Sequence, residues 1–335
     1  KEFNMINSVK NTFLAIANKN NYGYISPQDF NLYAQQAQMD LFEDYFYQYN
    51  AWTNKENQRL SGTGYADIVK GLVEVIDSFS VTRSLAQQGA NLFNLPSDYY
   101  LINKVNYFPT QITSGTSTAA GLNTLTDTTA TFVSSGVKVG QQVVNTTASS
   151  SYSGFSAFVI SVDSETQLTL SYSPFGVAAT IGNGYGIFNT TGIVEVERVN
   201  QNKIFYLNNS PLTAPSTGFP AYVLGGATTS VIGDANTGKL GNTITVYPTT
   251  ITNNGSVTAE YIRYPLSPKW TYQSLSSGEP LFDINQADYQ DFELPSSDEP
   301  GIVAKICQYI GIEIREGDVY QFGKQEEVNN NQIQT

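Results

Sequence analysis

The spacing of apolar residues along this chain changes from a period near 3.6 to a period near 2 at about residue 79, and returns to 3.6 close to residue 300. The first period builds amphipathic helices and the second half-buried strands. The chain is therefore expected to be α+β, with helices at both ends and an antiparallel β region between them. Ser26-Pro27-Gln28-Asp29 opens the clearest helix. Ser26 is placed to accept the Asp29 backbone N–H, and Pro27 takes the first helical position, where a missing donor does no harm. Phe30, Tyr33, Ala34, Ala37, Leu41, Phe42 and Tyr45 then recur at steps of three and four, an apolar stripe running about 22 residues. Ile6, Val9, Phe13 and Ile16 predict a shorter helix before it, and Tyr65 to Ile76 a third after it, so that residues 1–80 read as a helical bundle. The stripe is most simply core. Its sharper reading is a face between subunits, carried by Phe30, Tyr33, Phe42 and Tyr45.

Residues 81–110 and 191–275 read as one antiparallel β region. Leu92 to Leu95 and Tyr99 to Phe108, either side of Pro96-Ser97-Asp98, predict two strands around a tight turn; Ile244 to Tyr247 and Val257 to Ile262 flank Asn254-Gly255, a strong short-range turn signal. Between these parts, residues 111–190 are rich in Ser, Thr and Gly, with only Asp127, Lys138, Asp163 and Glu165 charged. They are expected to form a small β domain inserted into a hairpin. Its best-patterned element alternates Phe158, Ile160 and Val162 with Leu168, Leu170 and Tyr172 across a turn at residues 163–166. The parent sheet is expected to resume at Gly192 to Val196. Residues 276–335 complete the chain as an acidic C-terminal helix and tail. Ile302, Val303, Ile306, Cys307 and Ile310 form the apolar face of a helix that Gly311 is expected to stop, and Tyr320 and Phe322 in the tail are further interface candidates.

Composition closes most catalytic routes. The 335 residues include no histidine and a single cysteine. Without histidine there is no Ser-His-Asp triad, Cys-His dyad or His-based metal site, and a lone cysteine makes no intrachain disulfide. No catalytic, cofactor-binding or metal-binding residues are assigned, no cofactor is expected, and the chain reads as not an enzyme. The remaining metal-free route is a carboxylate pair such as Asp288/Asp291 or Glu195/Glu197, and neither is marked by its context. Gly182-Asn183-Gly184-Tyr185-Gly186 lacks the Lys-Ser/Thr of a phosphate loop. Cys307, on the apolar helix face, reads as a small buried hydrophobe. The net charge is −12, and residues 276–335 carry twelve acidic groups against three basic ones. Such a surface repels phosphate and argues against sequence-specific nucleic-acid binding. No run approaches the ~20 apolar residues of a membrane helix, so no membrane partner is expected.

Three stretches carry a family resemblance: Tyr24-Ile25-Ser26-Pro27-Gln28-Asp29-Phe30-Asn31 running to Ala37-Gln38-Met39-Asp40-Leu41-Phe42, then Tyr261-Ile262-Arg263-Tyr264-Pro265-Leu266-Ser267-Pro268-Lys269-Trp270, then Glu293-Leu294-Pro295 with Ile302 to Glu316. In this order the chain resembles virion structural proteins of tailed bacteriophages, most closely the neck or ring components of crAss-like phages, over residues 1–110 and 191–325. Residues 124–133 with Gly136 to Val144 are similar to decorating β domains of phage structural proteins. The resemblance implies a head-to-tail connector subunit in a twelve-fold ring between portal and tail. The partners it implies are further copies of the chain, the portal, other neck or tail proteins, and DNA passing non-specifically through the lumen. The implied location is the virion, assembled in the bacterial host cytoplasm. The rival expectation is a tail-fibre or receptor-binding protein, which suits the Tyr-rich and Ser/Thr-rich inserted segment.

Overall fold

The computed structural model describes residues 4–17, 25–58, 66–119, 121–147, 152–176, 181–225, 243–276, 278–313, 321, 324–325 and 328. The chain is α+β and divides into two compact units, one built from residues 1–79 and 264–335, the other from residues 80–263.

In the first unit, helix α1 (Met5–Ala17) packs on helix α5 (Glu299–Glu313), and helix α2 (Pro27–Gln58) packs on both α5 and α3 (Ala66–Asp77). The start of α2 follows the capping rule, with Asp29 N–H donating to Ser26 Oγ at 3.1 Å. Its 32 residues exceed the apolar stripe because residues 46–58 contain neither Gly nor Pro to stop it. The start of α1 is capped from far away in sequence. The Asp291 carboxylate accepts the backbone N–H groups of Met5 (3.0 Å) and Ile6 (2.7 Å), placing a negative charge at the positive end of the helix. Helix α5 runs through Gly311 to Glu313, so the expected stop at Gly311 is not used. Packing of Ile302, Ile306, Cys307 and Ile310, all fully buried, outweighs the ~1 kcal/mol that glycine costs inside a helix.

The stretches 26–42, 264–270 and 293–310 meet in this unit. Gln38 alone joins all three, donating to Leu266 O (2.7 Å) and accepting Glu293 N–H (3.0 Å) while 1% exposed. Asn31 exchanges two hydrogen bonds with the Trp270 backbone, at 2.8 and 3.3 Å.

Among its described residues, the second unit holds three sheets. Strands β1 (Ser80–Ser84), β15 (Val257–Arg263), β4 (Tyr99–Tyr107) and β11 (Val194–Glu195) pair in that order, and β12 (Glu197–Arg198), β13 (Ala221–Leu224), β14 (Thr243–Tyr247), β3 (Leu92–Asn94) and β2 (Ala86–Gly89) form another sheet. One core joins these two sheets, with Phe93, Leu95, Tyr222, Ile244 and Val246 meeting Val105, Tyr107, Val257 and Tyr261. The expected hairpin of β3 with β4 is therefore absent, as is any pairing of β14 with β15 across Asn254-Gly255. Both turns exist, but each carries the chain from one sheet to the other, which lets the apolar faces on either side of the turn share one core. The helix α4 (Gln201–Asn208), not foreseen from the sequence, lies between β12 and β13.

The six-stranded sheet, in the order β5 (Gln111–Thr116), β10 (Gly184–Phe188), β7 (Gln142–Asn145), β8 (Ser156–Val162), β9 (Gln167–Leu170) and β6 (Thr124–Thr126), is built within the 111–190 segment. Gln111 pairs with Phe188, which brings the two ends of the segment side by side. The segment has its own core of Leu125, Phe132, Val143, Val159, Leu168 and Tyr185. It also shares surface with its flanks, since Phe188 and Val144 bury Phe108, and Asn254 Nδ2 donates to Thr146 O at 3.0 Å.

The β8–β9 hairpin forms, but with the opposite face of β8 inward. Ala157 and Val159 are buried while Phe158 and Ile160 stand 51% and 54% exposed. Strand β8 is apolar on both faces, so alternation alone does not select one, and a register shift between Val159 and Ser161 breaks the strict period. The space under the sheet is filled by Phe132, Phe175 and Tyr185, leaving room for the smaller Ala157 and Val159.

Candidate assembly surfaces

The interface candidates on α2 have mixed positions. Phe30 and Phe42 are each 1% exposed, so they belong to the core of their own protomer and are closed to a neighbour. Phe42 meets Phe46 and Phe79 edge to face, both at 5.1 Å between centroids. Tyr33 is partly buried and stacks on Tyr309 of α5 at 6.2 Å. Tyr45 donates its hydroxyl to Asp298, and burial with that hydrogen bond pushes its phenol well above the ordinary tyrosine range. Tyr320 and Phe322 lie outside the described residues.

What α2 does leave open is its acidic outer rim. Asp40, Glu43, Asp44 and Tyr47 line a cleft of about 590 Å³ with Asp298 and Lys305 from the other wall. Tyr47 is 73% exposed, and Glu43, one turn before it, is exposed on the same helix face. Burial raises the Asp298 carboxyl despite hydrogen bonds from Tyr45 and Ser297. Among the described residues no group of three or more Cys, Asp and Glu side chains is placed to hold a metal ion.

A second surface surrounds α4. Phe205, Tyr206, Leu212 and Phe219 are 66%, 78%, 96% and 84% exposed, four large apolar side chains within fifteen residues. Leu212 and Phe219 line a cleft of about 740 Å³ together with Arg198, Lys203, Leu207 and Pro215. Sequence periodicity missed this surface because α4 buries a single residue, Ile204, and so has no apolar stripe. The available signal was the reverse of a stripe: Phe205 and Tyr206 adjacent on a short polar helix, followed by an apolar, Pro-rich loop.

The carboxylates considered as acid/base pairs all have structural partners or separate locations. Asp291 caps α1, Asp288 pairs with Lys269, and Glu195 pairs with Lys104 at 3.1 Å. Glu195 and Glu197 lie on strands of different sheets. The Cys307 thiol is fully buried, and that burial pushes it up to about 12, leaving it unreactive at neutral pH.

One titratable side chain was not foreseen. Lys10 is 6% exposed in the first unit, its Nζ 2.8 Å from the Trp270 ring centroid and 5.7 Å from that of Phe30. Burial lowers its pKa to about 8, and the aromatic face of Trp270 favours the charged form and opposes that shift. Between pH 8 and the ordinary lysine value the unfolded chain binds more protons than the folded one, so stability rises with pH in that window. The gain is expected to be at most about 3 kcal/mol. Above about pH 10 the raised phenol of Tyr45 works the other way and stability falls. Urea unfolding followed by tryptophan fluorescence from pH 7 to 11 should show this maximum, and Lys10→Met should flatten the rising limb. Both tryptophans, Trp52 and Trp270, lie in the first unit, so the signal reports on it alone.

No protein-family model matches the sequence, and no curated protein matches it. Among the described residues no helix is long and apolar enough to cross a membrane.

Proposed function

We propose that this chain is a virion structural protein, a subunit of a closed homo-oligomeric ring in the neck of a tailed bacteriophage, between portal and tail. Copies of the chain would surround a lumen, taken as twelve-fold, through which DNA passes without sequence-specific contact. The observation that carries the reading is the exposure of Phe205, Tyr206, Leu212 and Phe219 on one unit, a surface that a lone protomer leaves in water. The acidic rim of α2 on the other unit is a different patch. Contacts between two unlike patches close into rings when the rotation between copies closes. The net charge of −12 suits a lumen that lets DNA slide rather than bind.

The exposed Phe158 and Ile160 on the Ser/Thr-rich segment favour a second reading, a tail-fibre or host-adhesion protein. Imaging of assembled particles separates the two. The connector reading expects this chain as a ring on the tail axis between capsid and tail; density confined to fibre tips or the capsid surface overturns it.

A further inference from the structure

We propose that neighbouring copies join head to tail, with Tyr47 of one protomer, flanked by Glu43 and Asp44, entering the α4 cleft of the next between Leu212 and Phe219, where Arg198 and Lys203 meet the carboxylates. This rests on the ring reading above and names the contact that would build it.

Shape and charge select a second copy as the occupant. Tyr47 stands 73% exposed on α2, while Leu212 and Phe219 sit open in a cleft of about 740 Å³. The lining of the α2 cleft carries four carboxyl groups against Lys305, a formal charge of −3. The α4 cleft carries Lys104, Arg198 and Lys203 against Glu195 and Glu197, a formal charge of +1. Lys104 and Glu195 are already paired at 3.1 Å, so Arg198 and Lys203 outnumber the one remaining carboxylate, Glu197. Among the described residues neither Arg198 nor Lys203 is in an ion pair. Lys203 and Leu207 are one helical turn apart, which places the cation beside the apolar cleft wall. A central aromatic anchor with opposite charges at its rim is the arrangement that gives affinity from the pocket and orientation from the charges. Phe205, Tyr206 and Phe219, at ~150–250 Å² of burial each, would supply roughly half or more of the ~800 Å² per partner in a stable interface.

The test is zero-length amine–carboxyl crosslinking of the full chain at low ionic strength, using an equal mixture of isotopically light and heavy protein, with sedimentation run in parallel. A mixed-isotope link from Lys203 to Glu43 or Asp44 is expected. Tyr47→Ala and Phe219→Ala are each expected to weaken self-association about 30-fold, the scale of a buried anchor. Glu43→Lys and Lys203→Glu should each weaken it several-fold, and the double reversal should restore it. All four residues are exposed, so folding is preserved, and far-UV circular dichroism checks this. Links from Lys203 to Glu326 or Glu327 instead would make the acidic C-terminal segment the occupant and overturn the proposal. A chain that remains monomeric at its highest soluble concentration without the Lys203 link overturns it too. A ring that forms unaffected by any of the four substitutions refutes this contact while leaving the ring reading intact. Particles lacking the chain on the tail axis refute the ring reading itself.

Discussion

Replacing Phe42 with alanine is expected to destabilise the helical unit by about 3–5 kcal/mol, the usual cost of deleting a buried phenylalanine. The ring is 1% exposed and is enclosed by Phe46, Phe79 and Tyr264, with centroids 5.1 to 6.2 Å away. Those neighbours are anchored on α2 itself and on the two chain segments that leave the unit, so they cannot all collapse into the space. The cavity term adds to the lost transfer free energy. Tryptophan fluorescence should show the urea midpoint of this unit moving sharply downward. The same variant separates two roles for the stripe. If Phe42 served a contact between subunits, its truncation would lower assembly and leave the isolated chain's stability nearly unchanged; an unchanged midpoint would falsify its place in the protomer core.

The other large effect is expected at Gly115 in β5. A Cβ there would lie 2.5 Å from Asp127 Oδ2, 2.6 Å from Tyr185 Oη and 2.9 Å from Tyr185 Cζ. None of these atoms is free to move aside. Tyr185 donates to Asp127 at 2.8 Å, the Asp127 carboxylate also accepts the N–H and hydroxyl of Thr129 at 2.9 and 2.7 Å, and both residues are 1% exposed. Gly115→Ala must therefore break the Tyr185–Asp127 hydrogen bond and displace a core ring. Overpacking and the loss of one hydrogen bond to a buried carboxylate together should cost about 2–4 kcal/mol. Tyr185→Phe, which removes the donor without adding bulk, should cost about 1–3 kcal/mol. Far-UV circular dichroism is the proper probe, because the unit that holds Gly115 contains no tryptophan. A Gly115→Ala chain with an unchanged transition would mean that β5 is displaced from Asp127.

Burial of a carboxylate is first of all a penalty that pushes Asp127 upward, but its hydrogen bonds from Thr129 and Tyr185 more than offset this and hold it below the ordinary carboxylate range. Its contribution is accordingly present above the unfolded value and lost as pH falls through the folded one.

The legible parts of this fold were those whose signal is local. The Ser26 cap and the steps of three and four from Phe30 to Tyr45 determine that a helix starts there and which side is apolar, because both depend only on backbone geometry within a few turns. The change of period near residue 79 located the start of the β region in the same way, and the charge-poor segment 111–190 is the one that builds the six-stranded sheet, within the same compact unit as its flanks. Partner choice was not legible. Strands β3 and β4 are adjacent in sequence and patterned alike, yet they do not pair with each other: β3 lies between its neighbour β2 and the distant Thr243 to Thr245, and β4 pairs with Val257 to Arg263. A turn of Pro96-Ser97-Asp98 permits a hairpin and a corner equally, and only the shared core of the two sheets selects the corner. The inward face of β8 was undecided for a related reason: both of its faces are apolar, and the larger rings already filling the sheet's underside select Ala157 and Val159. Tertiary packing also determined what the stripe on α2 is for, since Phe30, Ala34, Ala37 and Phe42 are buried within the chain's own fold, where α2 packs on α5, while Leu32, Glu43 and Tyr47 of the same helix stay exposed. Sequence periodicity marks a face that must be buried, and the geometry of the folded chain decides whether its own residues or another copy bury it.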